Sequence, residues 1–185
     1  ISGGFVVVTG FGENRWIGPE KSELFTFKNG LEKSSKTLPP YPKGIYNACG
    51  ALIAGRFPLV LGGYDGSNWL TSCQMLKRME WKEVCQLKKP RSSQACVVIE
   101  ETTVWITGGY VGNGWNKLSS TTELLEFNEA GDLTAHKFGP DMPIKSEGHS
   151  IIQIDNGKML FLGGRFDKAT YIFHNNLFEP GPTLI

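Results

Sequence analysis

Hydrophobic residues in this chain fall in short runs, broken by polar or glycine-containing segments. The stretch 94–137 sets the pattern. QACVVI is apolar, Glu100-Glu101-Thr102 is polar, and TVWITGG is a second run rich in β-branched and aromatic residues. A loop YVGNGWNKLSS leads to TTELLEF, a turn NEAGD and LTAHKF. Runs of this length and composition predict β-strands joined by tight turns, and the chain carries no long amphipathic helix pattern. The reading is four strands, denoted a, b, c and d.

The same template fits on either side. ACGALI, PLVLGG, TSCQMLK and EWKEVCQL supply four strands before it; SIIQI, KMLFLGG, TYIF and NLFEP supply four after it. The a–b turn of the last unit contains Asp155-Asn156-Gly157, a strong hairpin signal. The first unit lacks strand a: FVVVTG is b, SELFTF is c, and LEKSSKTL is d. The predicted units are therefore 1–46 (lacking its first strand), 47–92, 93–146 and 147–185.

Each b strand ends in glycine. Pairs stand at Gly62-Gly63, Gly108-Gly109 and Gly163-Gly164, with Thr9-Gly10 in the first unit. The second glycines are residues 10, 63, 109 and 164, a period of about 50 residues that marks a repeat architecture. Trp16, Trp69 and Trp115 each stand six residues past the second glycine. A lone four-stranded sheet cannot bury both faces, whereas radial stacking covers each sheet with its neighbour. The fold class read from this is all-β: a β-propeller of four-stranded antiparallel blades, about four of them present.

The sequence resembles the kelch repeat family. The resemblance rests on the double glycines, the apolar strand before each, Trp81 in strand d, and Arg91 ahead of strand a. Gln94 and His149 align at two strand starts, and Tyr171 and Phe178 stand seven apart where kelch units carry Tyr and Trp. Departures are Thr9 in the first glycine pair, Ser146 in the place of Arg91, and three units without the strand-c Tyr. The resemblance implies a propeller commonly of six blades, so four units make two-thirds of a ring; a closed four-bladed ring is the alternative. The chain begins at Ile1 without an initiator methionine, which reads as a piece of a longer protein.

Charge and composition exclude several classes. Nineteen basic against 18 acidic residues in 185 leave a net charge of +1, without the footprint of a nucleic-acid binder. No apolar run approaches the roughly 18–20 residues of a membrane span. TGFGENRW has too few glycines for a dinucleotide fingerprint and leads into no helix. P-loop and GxSxG motifs are missing, and His136, His149 and His174 lie far apart. No spacing of Cys and His suits zinc, and no cofactor is implied.

Strand direction places the b–c loops and d–a connections at one end. The candidate contacts there for a protein partner are Arg15, Tyr41, Lys43, Asn68, Lys88, Lys89, Arg91, Tyr110, Asn116, Asp141 and Lys145. The recurring tryptophans Trp16, Trp69 and Trp115 read as architectural, each packed over its own loop and the neighbouring blade. The function expected is a non-catalytic interaction module; the alternatives are a secreted glycan-binding protein and a propeller-type enzyme with a site assembled from loops. A hairpin symmetric about Met79 sets Cys73 opposite Cys85 as a candidate disulfide. A bridge there fits an oxidising compartment, free thiols a cytosolic one. Cys49 and Cys96 read as small core residues at equivalent places.

Overall fold

The computed structural model describes residues 2–8, 22–28, 31–112, 117–154, 157–165 and 168–183. Gly10, Arg15, Trp16, Trp115, Asn116 and the Asp155-Asn156 part of the predicted turn lie outside the described residues. Among the described residues the fold is all-β, and no helix is long and apolar enough to cross a membrane.

Among the described residues, fifteen strands form four antiparallel meanders. The first holds β1 (Ser2–Val8), β2 (Ser22–Lys28) and β3 (Leu31–Thr37). The second holds β4 (Cys49–Ile53), β5 (Phe57–Leu61), β6 (Ser72–Lys77) and β7 (Glu80–Gln86). The third holds β8 (Ala95–Ile99), β9 (Thr103–Thr107), β10 (Thr122–Phe127) and β11 (Leu133–Phe138). The fourth holds β12 (Ser150–Gln153), β13 (Met159–Leu162), β14 (Thr170–His174) and β15 (Leu177–Pro180). The first strands of successive sheets lie side by side, β4 against β8 and β8 against β12, so the sheets fan out from a common line in a propeller-like arrangement.

Side chains alternate along a strand, so a sheet that lies between two others can offer an apolar face to each. Leu38, Tyr41, Val60, Leu76 and Trp81 fill the layer between the first and second sheets. Leu59, Leu61, Met75, Val104, Ile106 and Leu125 fill the next. Trp105, Ile151, Met159 and Phe161 fill the last. Burying each such side chain contributes about 1.5–3 kcal/mol, and this term holds sheet to sheet.

The glycine pairs are explained by that stacking. Gly62 and Gly63 have φ of 59° and 102°, and Gly108 and Gly109 have 60° and 90°. A Cβ on Gly62 would stand 2.6 Å from the Arg91 carbonyl oxygen, and one on Gly108 2.6 Å from that of Ser146. The N–H groups of Gly63 and Gly109 donate to those same carbonyls at 2.7 and 2.8 Å. Each pair is thus where a b strand meets the segment leading into the next sheet, too closely for any side chain.

The β6–β7 hairpin differs from the symmetric one. Its turn is Arg78-Met79 alone, with φ of 50° and 62°, and Lys77 pairs with Glu80. Met75 therefore faces Lys82, and a bulge after Cys73 restores the Cys73–Cys85 pairing. The two thiols are free in the structure and face each other across the hairpin; the Cys73 thiol donates to the Thr71 carbonyl at 3.7 Å. Burial, reinforced by the neighbouring Cys85 thiol, pushes the Cys73 thiol far above its ordinary range.

Candidate functional site

Where the b strands end, the second and third sheets each contribute the same three positions to a shared concave surface, and the fourth contributes two of them. In the second sheet Tyr46 bridges Tyr64, and Tyr64 bridges Trp69; in the third Ser92 bridges Tyr110, and Tyr110 bridges Leu118. In the fourth the Arg165 N–H donates to the Glu147 carbonyl at 2.9 Å, the bond that Tyr64 makes to Tyr46 and Tyr110 to Ser92. The residues that follow, Asn47, Ser93 and Gly148, all adopt left-handed φ of 55°, 53° and 64°. Ser93 N–H donates to Asn47 O and Gly148 N–H to Ser93 O, both at 2.8 Å. This relay ties the sheets together at their inner ends and turns positions 46, 92 and 147 toward the cavity.

These bonds also correct the alignment of the tryptophans. The N–H of Leu70 donates to Gly63 O, and that of Ser119 to Gly109 O. The counterpart of Trp69 is therefore Leu118, not Trp115, because the loop after Gly109 is longer.

The concavity has a volume of about 460 Å³. One wall is aromatic. Tyr46 meets Tyr64 edge to face at 5.2 Å, Tyr64 meets Trp69 at 4.7 Å, and Trp69 meets Tyr110 of the next sheet at 5.6 Å and 31°. All four rings are half-buried. Trp69 packs on its own loop and on the neighbouring sheet while still lining the cavity. The rest of the lining includes the polar Ser92, Ser93, Glu147 and Arg165. Arg165 Nη1 donates to Glu147 Oε1 at 2.8 Å. The Tyr64 hydroxyl donates to Gly66 O at 3.0 Å, which fixes the loop under the aromatic wall.

Asp65 organises the same loop. Its Oδ1 accepts the N–H groups of Ser67 at 2.8 Å and Asn68 at 2.7 Å, and its Oδ2 pairs with Lys43. Burial raises its pKa, but the Lys43 ammonium and the two N–H donors outweigh that and hold it at about 2. Lys43 and Asn68 are exposed beside the cavity, while Asp141 and Lys145 are exposed on the third d–a connection. The Lys88 and Lys89 ammonium groups lie 5.6 and 5.9 Å from the centre of the exposed Phe138 ring.

Two predicted contact residues are interior. Tyr41 is 3% exposed and meets Trp81 edge to face at 5.1 Å, because its connection folds back over the first layer. Trp81 is buried beside it and donates to Pro39 O at 3.1 Å. Arg91 is 0% exposed. Its Nη1 donates to Gly108 O at 2.6 Å and Thr121 O at 2.9 Å, and its Nη2 and Nε reach Glu123 Oε1 at 3.0 and 3.1 Å. The fully buried Glu123 also accepts from Lys88 N–H at 2.8 Å and lies 2.7 Å from His136 Nε2. Arg91 is thus a clasp from the second sheet into the third.

Gln94 and His149 occupy equivalent places. Gln94 Nε2 donates to Leu61 O at 2.7 Å, and His149 Nε2 shares a hydrogen bond with Thr107 Oγ1 at 2.8 Å. Burial lowers the His149 pKa to about 4. Among the described residues no cluster of His, Cys, Asp and Glu is placed to hold a metal ion.

Neither the family models nor the curated proteins contain a match to this chain. Solved structures do match. The structure of YjhT aligns with 98% of this chain and 68% of its own, at a TM-score of 0.73 and 14% identity. That likeness shows the fold.

Tyr46, Tyr64, Ser92, Ser93, Glu147 and Arg165 were not among the predicted contacts. The signal for two of them was available: Tyr64 and Arg165, like the predicted Tyr110, directly follow a glycine pair. The residues of the d–a connections could be placed only once their bridges were known.

Proposed function

We propose that this chain is part of a kelch-type propeller, about four blades of a six-bladed ring, and serves as a non-catalytic recognition module for a protein. Support for the repeat comes from the glycine pairs, the buried Trp81 and the interior Arg91. Support for a larger ring comes from the fourth sheet, whose face away from the third carries Ile152 at 45% exposure and the half-buried Leu160 and Ile172. An apolar sheet face of that kind is suited to a further sheet.

The observation that carries the functional reading is the half-exposed wall of Tyr46, Tyr64, Trp69 and Tyr110, set where the connections of three sheets converge. Tyr and Trp supply large contact area at low entropic cost and dominate binding hot spots. Scaffold positions recur from sheet to sheet while the side chains they present change, as recognition on a repeat scaffold requires.

The test is affinity capture with variants of the two ends. Trp69→Ala and Tyr110→Ala should lose a partner that wild-type protein retains, while Met79→Ala and Asn175→Ala at the far turns should keep it. Partner loss confined to the far-end variants refutes the assignment.

A further inference from the structure

We propose that the aromatic concavity binds a neutral saccharide, either free or carried on a glycosylated protein. The inference rests on the reading of this end as the recognition end. Its basis is the mixed lining of the cavity, aromatic rings together with polar side chains. A pyranose ring has the matching character: flat C–H faces that pack on aromatic rings, and a rim of hydroxyls that both donate and accept. The four rings from Tyr46 to Tyr110 supply the platform, and Ser92, Ser93, Glu147 and Arg165 supply the polar partners.

Charge decides which ligand fits. Glu147 and Arg165 neutralise one another at 2.8 Å. As a pair they carry no net charge, so these two side chains offer neither an anion nor a cation a net attraction. A hydroxyl can join the pair without breaking it, because a guanidinium has five N–H donors and a carboxylate two acceptor oxygens.

Backbone chemistry argues against an extended peptide adding as a strand. The strand-end amides here are already paired: Tyr46 and Tyr64 exchange bonds of 3.0 and 2.9 Å, and Ser92 and Tyr110 exchange bonds of 3.0 and 2.8 Å. Little main-chain edge is left for β-augmentation. The cavity, at about 460 Å³, lies within the range of small-ligand sites, roughly 300–1,000 Å³.

The experiment is a calorimetric titration of the whole chain with maltose, lactose and diacetylchitobiose, alongside glucuronate and glucosamine as charged counterparts. At least one neutral disaccharide should bind saturably and more tightly than either charged sugar. Trp69→Ala and Tyr110→Ala should weaken that binding by about tenfold or more. Trp69→Phe, which keeps a ring, should retain most of it, and serves if the alanine variant does not fold. No binding of the neutral sugars at millimolar concentration, tighter binding of a charged one, or equal binding by all variants overturns the proposal. The two sources separate in a second arm, in which a captured partner is treated with glycosidases. Capture that survives complete deglycosylation, yet is lost in Trp69→Ala, refutes the saccharide while leaving the recognition end in place.

Discussion

At the scale of single residues, Arg91 carries the largest consequence. A guanidinium is taken wholly out of water and held by Glu123, two carbonyls and a hydroxyl. Truncating one partner of such a buried pair leaves the other uncompensated, at a cost of about 3–5 kcal/mol. Arg91→Ala should therefore shift the urea midpoint strongly, whereas Lys145→Ala, on an exposed connection, should change stability by less than about 0.5 kcal/mol. Equal effects would remove the clasp from the account. His149 makes a pH-dependent contribution. The folded protein keeps this imidazole neutral down to about pH 4, against an ordinary value of 6.5. Between those values the unfolded chain binds the extra proton. Stability is thus fully present above pH 6.5 and falls as pH drops through the window, by about 3 kcal/mol in all. His149→Gln, copying Gln94, should flatten the stability profile between pH 6.5 and 5. An unchanged slope in urea titrations of the variant contradicts the assignment.

At the scale of elements, the glycine pairs and the strands before them were plain in the sequence, because steric demand at a close backbone approach leaves one residue type. Gly108→Ala should cost about 1–3 kcal/mol from strained φ alone, with the Ser146 carbonyl clash in addition. Thermal unfolding measures this, and an unchanged melting point would contradict the close approach. The β6–β7 hairpin was less legible. Alternation fixes which residues share a face, but neither the two-residue turn nor the bulge at Cys73 leaves a mark in the residue types. Because Cys73 and Cys85 carry free thiols, peptides spanning 71–87 from protein denatured without reductant should be alkylated at both positions. A cross-linked peptide in mass spectrometry is the contrary result.

At the scale of the whole molecule, the interface between the second and third sheets gathers the most kinds of contact. Among the described residues it holds the largest apolar layer, the Arg91 clasp, and the Lys77–Asp132 pair at 2.9 Å. Amide exchange should accordingly be slowest in β5, β6, β9 and β10 and faster in the outermost β15, whose residues are mostly exposed. The repeat was legible because every sheet must solve the same packing problem. The site was only partly so: Arg91 lies 32 residues from Glu123, and no local pattern announces such a pairing. Trp115 was matched to Trp69 by counting along a loop whose length is not shared. Recognition through the aromatic concavity is tested most directly by placing one photo-crosslinking amino acid at position 110 or at position 79 in the protein in its native cells. A discrete partner adduct is expected from position 110 and none from position 79. Adducts from position 79 alone would contradict it.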